Sequence, residues 1–261
     1  MLRYRVISAM IGMPLMVLSV WLGGWLLLLL TAGIMFISLR ELVAMLRKMQ
    51  INPPVAVMLA GSAILLTSAY LFGERGSTWA TTLVLMLFLL TVVLRFPFYS
   101  PVDGAAGLLG TLYVGLFTYF YLLRTLPEGW IWLLFMLLGT WASDTAAYFV
   151  GKRFGRRKLA PSLSPGKTVA GGTGGIAGSL LVAVLFYVSY PFLPVAHLLI
   201  MGLLLGVMAQ LGDLWESVIK RTADTKDTGK IIPGHGGVLD RFDSMFFTAP
   251  LVYYYLAFFG L

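Results

Sequence analysis

The chain has 261 residues, 59% of them hydrophobic and only 11% charged, against ~25% charged in an ordinary soluble domain. A water-soluble globule cannot hide that much apolar surface, and a disordered chain or a nucleic-acid-binding domain is excluded with it. The net charge of +8 comes from 19 Lys+Arg against 11 Asp+Glu, and the lack of cysteine removes disulfides, thiolate metal sites and a cysteine nucleophile.

Nine hydrophobic segments follow one another, at about 6–22, 25–39, 54–72, 78–94, 104–123, 129–150, 171–190, 195–214 and 242–261. A lipid-spanning helix needs ~20 apolar residues, so the pattern predicts an all-α polytopic membrane protein with about nine transmembrane helices. The runs lack the alternation of β-barrel strands. The first segment follows Arg3 and Arg5, as in a signal peptide. It reads as a span because no small-residue cleavage site follows and a second span starts almost at once.

With the N-terminus in the cytoplasm and nine crossings, every basic residue except Arg75 and Arg124 falls on the cytoplasmic side. The C-terminus is then expected outside. Residues 1–123 read as a scaffold of about five N-terminal spans, with a lipid or dimer role. Glu41 and Asp103 near cytoplasmic helix ends, and Glu74 and Glu128 in outer turns, read there as solvated or helix-end charges. Residues 124–261 read as the catalytic region, with polar cytoplasmic loops at 151–169 and 220–241.

Several acids lie within or at the ends of apolar segments. Asp144 precedes the cytoplasmic end of its span, and Asp213 and Glu216 lie near the end of theirs. A charge at the bilayer centre costs ~2.5–3.5 kcal/mol, so such groups need a wet cavity, a cation or a basic partner. One reading is a buried ion pair between helices, such as Asp144 with Lys220; the other is a cation site or proton relay. Gln210, Asp213, Ser217 and Lys220 share one helix face. Gly171, Gly175 and Gly174, Gly178 form small-xxx-small pairs that predict close helix packing. His197, at an outer helix start, reads as inert.

The stretch from residue 217 to 243 reads SVIKRTADTKDTGKIIPGHGGVLDRFD. Carboxylates without cysteine suit Mg²⁺ better than zinc. The PGHGG turn lets backbone N–H groups approach an anion. Lys220, Arg221, Lys226, Lys230 and Arg241 surround it with positive charge. This is equipment for holding a polyphosphate. A P-loop fold is rejected for Ser164-Pro-Gly-Lys-Thr168, because the first glycine of that motif would fall at Pro161.

The order of these residues resembles the signature of phosphatidate cytidylyltransferases, the CDP-diacylglycerol synthases. Ser217, Lys220, Arg221, Lys226, Asp227, Gly229, Ile232, Pro233, His235, Gly236, Gly237, Asp240, Arg241 and Asp243 fit it without a gap. Upstream, Gly212-Asp213 with Glu216-Ser217 is similar to the family's G-D-x-x-E-S. Asp144 with Ala147-Tyr148 and Gly151 is similar to its D-x-x-A-Y-x-x-G. Ser164-Pro165 and Lys167-Thr168 are similar to its S-P-x-K-T. The family usually continues x-E-G, where this chain has Ala170 before Gly171. The N-terminal half matches in character only.

The resemblance implies that CTP and phosphatidate give CDP-diacylglycerol and pyrophosphate, the lipid phosphate attacking the α-phosphorus in line. It implies catalytic roles for Asp213, Asp240, Lys220, Arg221 and Asp243, with Asp213 and Asp240 the main ligands of Mg²⁺ and a second cation left open. It implies substrate contacts at Asp144, Ser164, Lys167, Thr168, Ser217, Lys226, Asp227, His235, Gly236, Gly237 and Arg241. A homodimer in the bacterial cytoplasmic membrane, with its site facing the cytoplasm, is the expected setting. Two rivals stay open at this stage: a CTP-dependent lipid kinase and a cation-coupled transporter.

Overall fold

A computed structural model describes residues 2–229, 231 and 236–261. Each of the nine apolar segments is helical. In chain order the helices are α1 (Leu2–Leu22), α2 (Gly24–Lys48), α3 (Val55–Phe72), α4 (Ser77–Leu94), α5 (Pro101–Gly115), α6 (Thr118–Thr125), α7 (Gly129–Phe154), α8 (Val169–Ser189), α9 (Val195–Thr222) and α10 (Leu239–Phe259). The fifth segment is broken into α5 and α6, where Phe117 stacks on Phe120 with ring centroids 4.9 Å apart. A short antiparallel hairpin, β1 (Lys158–Ala160) with β2 (Ser164–Thr168), interrupts the all-α pattern inside the 151–169 loop.

Among the described residues, six stretches are long and apolar enough to cross a membrane: Gly24–Lys48, Val55–Leu94, Pro101–Thr125, Gly129–Phe154, Val169–Ser189 and Val195–Thr222. Large apolar side chains such as Trp21, Leu89, Val93, Leu94 and Phe258 are exposed, which suits contact with lipid and not with water. The protein is a multi-pass membrane protein.

The chain folds into two compact units. The first is Met1–Leu126 with Ile219–Phe242. Its core includes Leu27, Leu39, Met58, Val84, Phe88 and Phe120, all essentially fully buried. Small residues let its helices approach: a Cβ at Gly107 would press on Phe88, and one at Gly110 on Leu42. Gly23 has φ +63°, which favours glycine, and sits under Arg124. Arg124 donates from Nε to the Val20 carbonyl at 2.9 Å, so this cation caps the C-terminal end of α1. Ser100 and Asp103 form a capping box at the start of α5, and Asp103 also accepts from the Asn52 N–H at 2.6 Å. Asp103 is thus a helix-end charge, as its position suggested.

The second unit is Pro127–Val218 with Asp243–Leu261. The glycine pairs of α8 do pack closely. A Cβ at Gly171 would lie 2.8 Å from the Ala147 carbonyl, and one at Gly178 would lie 2.6 Å from that of Ala142. The side chain of Thr168 caps α8 by accepting from the Gly171 N–H at 3.0 Å. His197 Nδ1 lies 2.9 Å from the Tyr255 hydroxyl and its ring packs on Phe259, a packing role at the start of α9.

Candidate active site

Within the second unit, α9 and α10 cross at Gly212. A Cβ there would meet the Asp243 carbonyl at 2.6 Å and Ser244 Cα at 2.9 Å, so only glycine admits the backbone of α10. Ser244 Oγ donates to the Ala209 carbonyl at 3.0 Å and pins the crossing. The crossing brings Asp213, Glu216 and Asp243 together, with one carboxylate oxygen of each within 4.8 Å of the others. Glu216 is fully buried and Asp243 nearly so. Lys167, at the end of the hairpin, reaches Asp213 Oδ2 at 2.7 Å. Three acids against one ammonium form a set of hard oxygen donors, the donor type that Mg²⁺ takes. The residues present therefore fit a divalent cation.

Glu216 joins this group; the sequence marks it as an acid at a span end and part of the G-D-x-x-E-S match, but assigns it no role in the site. Its readable signal is the i, i+3 spacing from Asp213, which places both on one face of α9. Gln210, also on that face, donates from Nε2 to the Gly172 carbonyl at 3.0 Å and so ties α9 to α8.

Within the first unit, Asp240 occupies the first turn of α10. Its Oδ1 accepts from Lys220 Nζ at 2.8 Å. Its Oδ2 accepts from the Thr228 N–H at 2.9 Å, the Thr228 hydroxyl at 2.8 Å and the Gly237 N–H at 2.8 Å. Burial opposes ionisation of this carboxyl, but the Lys220 ammonium and the two N–H groups outweigh it and hold Asp240 below the usual carboxylate range. Gly236 has φ +87°, and a Cβ there would lie 2.8 Å from Asp240 Oδ2. The backbone that cradles this carboxylate needs glycine on both counts.

Glu41 of α2 corrects the sequence-based expectation of a solvated or helix-end charge. It is 5% exposed. Its Oε1 accepts from the Val238 N–H at 3.0 Å and its Oε2 from the Leu239 N–H at 2.8 Å. Thr228 Oγ1 also approaches Oε2, at 3.3 Å. Of the PGHGG stretch, the Gly237 N–H is directed to Asp240, and the N–H groups that follow it, on Val238 and Leu239, are directed to Glu41.

The other expected site residues are placed as follows. Arg221, Lys226, Asp227 and Arg241 are exposed in the first unit. Asp144 is exposed on α7, Ser164 is half-buried at the start of β2, and Ser217 is buried on α9. Thr168 is buried, its hydroxyl engaged as the α8 cap. Ser164-Pro-Gly-Lys-Thr168 forms a strand, not a phosphate loop. His235 lies outside the described residues, as do Lys230, Ile232 and Pro233.

These features define a multi-pass membrane protein that gathers carboxylates and basic groups beside apolar helices, as an enzyme of anionic substrates requires. The cytidylyltransferase family model matches residues 3–259, and the chain belongs to that family. It is 36% identical to a phosphatidate cytidylyltransferase of Bacillus subtilis (strain 168), covering 99% of each chain. It is 36% identical to one of Synechocystis sp., covering 97% of this chain and 95% of the relative. It is 37% identical to one of Staphylococcus aureus (strain COL), covering 96% of this chain and 97% of the relative.

Proposed function

We infer that the chain transfers CMP from CTP to phosphatidate, giving CDP-diacylglycerol and pyrophosphate. The observation that carries this is membership of the family over nearly the full chain, with the signature unbroken from residue 217 to 243. The nucleophile is the lipid phosphate, whose second pKa of about 6 leaves it largely anionic at neutral pH. A strong general base is therefore unnecessary. The barrier is the repulsion between two anions, which positive groups lower.

The cofactor proposed is Mg²⁺, with Asp213 and Asp240 as its ligands on the strength of the resemblance. Glu216 and Asp243, which converge on Asp213, add carboxylate oxygens beside it. When bound, the cation would neutralise triphosphate oxygens and stabilise charge developing in the transfer. Lys167, beside Asp213, is suited to a phosphate oxygen of CTP. Lys220 orients and balances Asp240 through its 2.8 Å contact. Arg221, Lys226 and Arg241, exposed in the signature segment, are suited to the remaining phosphates of CTP or lipid. His235 is proposed as a substrate contact from the signature alone.

The setting proposed is a homodimer in the cytoplasmic membrane, crossing it nine times, with the N-terminus and the site on the cytoplasmic side. The partition of basic residues supports this orientation. A reporter active only in the cytoplasm, fused to Leu261, is expected to stay silent; strong activity from it would overturn the nine-span topology.

The reaction exchanges one phosphoanhydride for another and so should be reversible. Purified protein given CDP-diacylglycerol, Mg²⁺ and pyrophosphate is expected to regenerate CTP. Failure to do so, from protein that is folded in detergent, would count against a cytidylyltransferase.

A further inference from the structure

We propose that Glu41 is a positioning residue for the transfer reaction: its carboxylate clamps the first turn of α10 and so fixes where Asp240 presents its oxygens. The inference rests on the function proposed above and adds to it a residue from the N-terminal half, where the family signature has no part.

The first N–H groups of a helix have no partner inside it. At α10 two successive ones, on Val238 and Leu239, each donate to a different oxygen of Glu41. A carboxylate at a helix N-terminus also meets the positive end of the helix dipole. Glu41 is therefore an N-terminal cap supplied from 198 residues away in sequence. The N–H just before these, on Gly237, goes to Asp240. Thr228 sits between the two acids: its single hydroxyl proton goes to Asp240 at 2.8 Å, the shorter of its two contacts. A buried carboxylate is costly without such donors, so the site Glu41 occupies is built for it.

The clamp also explains two glycines of the signature. A Cβ on Gly229 would run into Glu41, whose Oε1, Cδ and Cγ are its three nearest atoms. A Cβ on Gly237 would meet Thr228 Oγ1 and both Glu41 oxygens. Neither glycine has the positive φ that marks Gly236. Their requirement is room for the Glu41 carboxylate.

The test is steady-state kinetics of CMP transfer with purified Glu41→Ala, Glu41→Gln, Gly229→Ala and the Glu41→Ala/Gly229→Ala double variant, each scaled to folded protein by its melting transition. Misplacing a reacting group by about 1 Å costs on the order of 100-fold, so Glu41→Ala is expected to lower kcat by about that factor. KM for CTP and for phosphatidate should move by less than about threefold, because no substrate contact is removed. Glu41→Gln keeps the size and one acceptor oxygen but turns an NH₂ toward a backbone N–H; its kcat should lie between those of wild type and Glu41→Ala. Gly229→Ala should lower kcat in the wild-type background and change it less than about twofold when Glu41 is already alanine, the non-additivity expected of groups in contact. Wild-type kcat in folded Glu41→Ala and Glu41→Gln, or strict additivity in the cycle, would overturn the proposal. A wild-type protein without CMP transfer would instead refute the function. The same cycle read in melting temperature would then still show whether Glu41 and Gly229 meet.

Discussion

The two carboxylate groups solve opposite problems. In the first unit Glu41 and Asp240 are surrounded by donors: four backbone N–H groups, the Thr228 hydroxyl and the Lys220 ammonium. In the second unit Asp213, Glu216 and Asp243 turn toward one another, with Lys167 as the cation at Asp213 and the Ser244 N–H donating to Asp243 Oδ1. Acids met by fixed N–H groups are held in place. Acids that face other acids repel, and their crowding is relieved by binding a cation. On the proposed function, the first group supplies rigidity and the second handles charge.

The sharpest way to break this contrast is at Asp213. Asp213→Asn keeps the size and removes the charge, and turnover in mixed micelles is expected to fall on the order of a thousandfold, the scale of losing a principal electrostatic group. Raising Mg²⁺ should restore part of it. Wild-type turnover at ordinary Mg²⁺ would remove Asp213 from the cation site. Asp240→Asn is expected to cost as much, and in addition to lower the melting temperature, because four donors then face one acceptor oxygen and an NH₂. An unchanged melting temperature would show that the donors around Asp240 contribute little to folding.

A smaller effect is expected at residue 170. Ala170→Glu restores the family's usual carboxylate in the first turn of α8, where the helix dipole favours it. If that group helps place substrate, kcat/KM rises by a fewfold, on the order of 1 kcal/mol. No gain from a folded variant would mean that this chain works without it.

The smallest effect concerns Asp103, far in sequence from either group. Its carboxylate accepts from the Ser100 N–H and hydroxyl and from the Asn52 N–H. Asp103→Asn is expected to cost about 1 kcal/mol of stability, as other lost caps do, and to leave turnover unchanged. Ser100→Ala breaks the same box, so the double variant should lose less than the sum of the two single losses. Melting temperatures that add in full would contradict a shared capping role.

Much of this was legible in the sequence, for physical reasons. Only helices and closed barrels satisfy the backbone in lipid, and continuous apolar runs of span length lack the alternation of barrel strands, so all nine segments were readable as helices. The glycine pairs of α8 were readable as packing sites because their spacing puts them on one face. The hairpin at 158–168 was not, since its strands are short, polar and broken by Gly and Pro. The break after Gly115 carries no proline to announce it. Glu41 escapes a reading by position because a single acid near a helix end is usually solvated. A finer signal is present: Ile34, Ser38, Glu41 and Met45 recur at three- and four-residue spacing, and all four are buried. Its partners lie almost two hundred residues downstream, and only the folded chain brings them to it.

The most direct test of CMP transfer follows the phosphorus. Purified protein in mixed micelles receives phosphatidate, Mg²⁺ and CTP labelled separately at the α- or the γ-phosphate. The expected result is α-label in the lipid fraction, γ-label in released pyrophosphate, and no lipid product once divalent metal is chelated. Label from the γ-phosphate in the lipid would make the protein a kinase. Absence of any nucleotide-dependent lipid product from folded protein, across a range of phosphatidates, would contradict the account altogether.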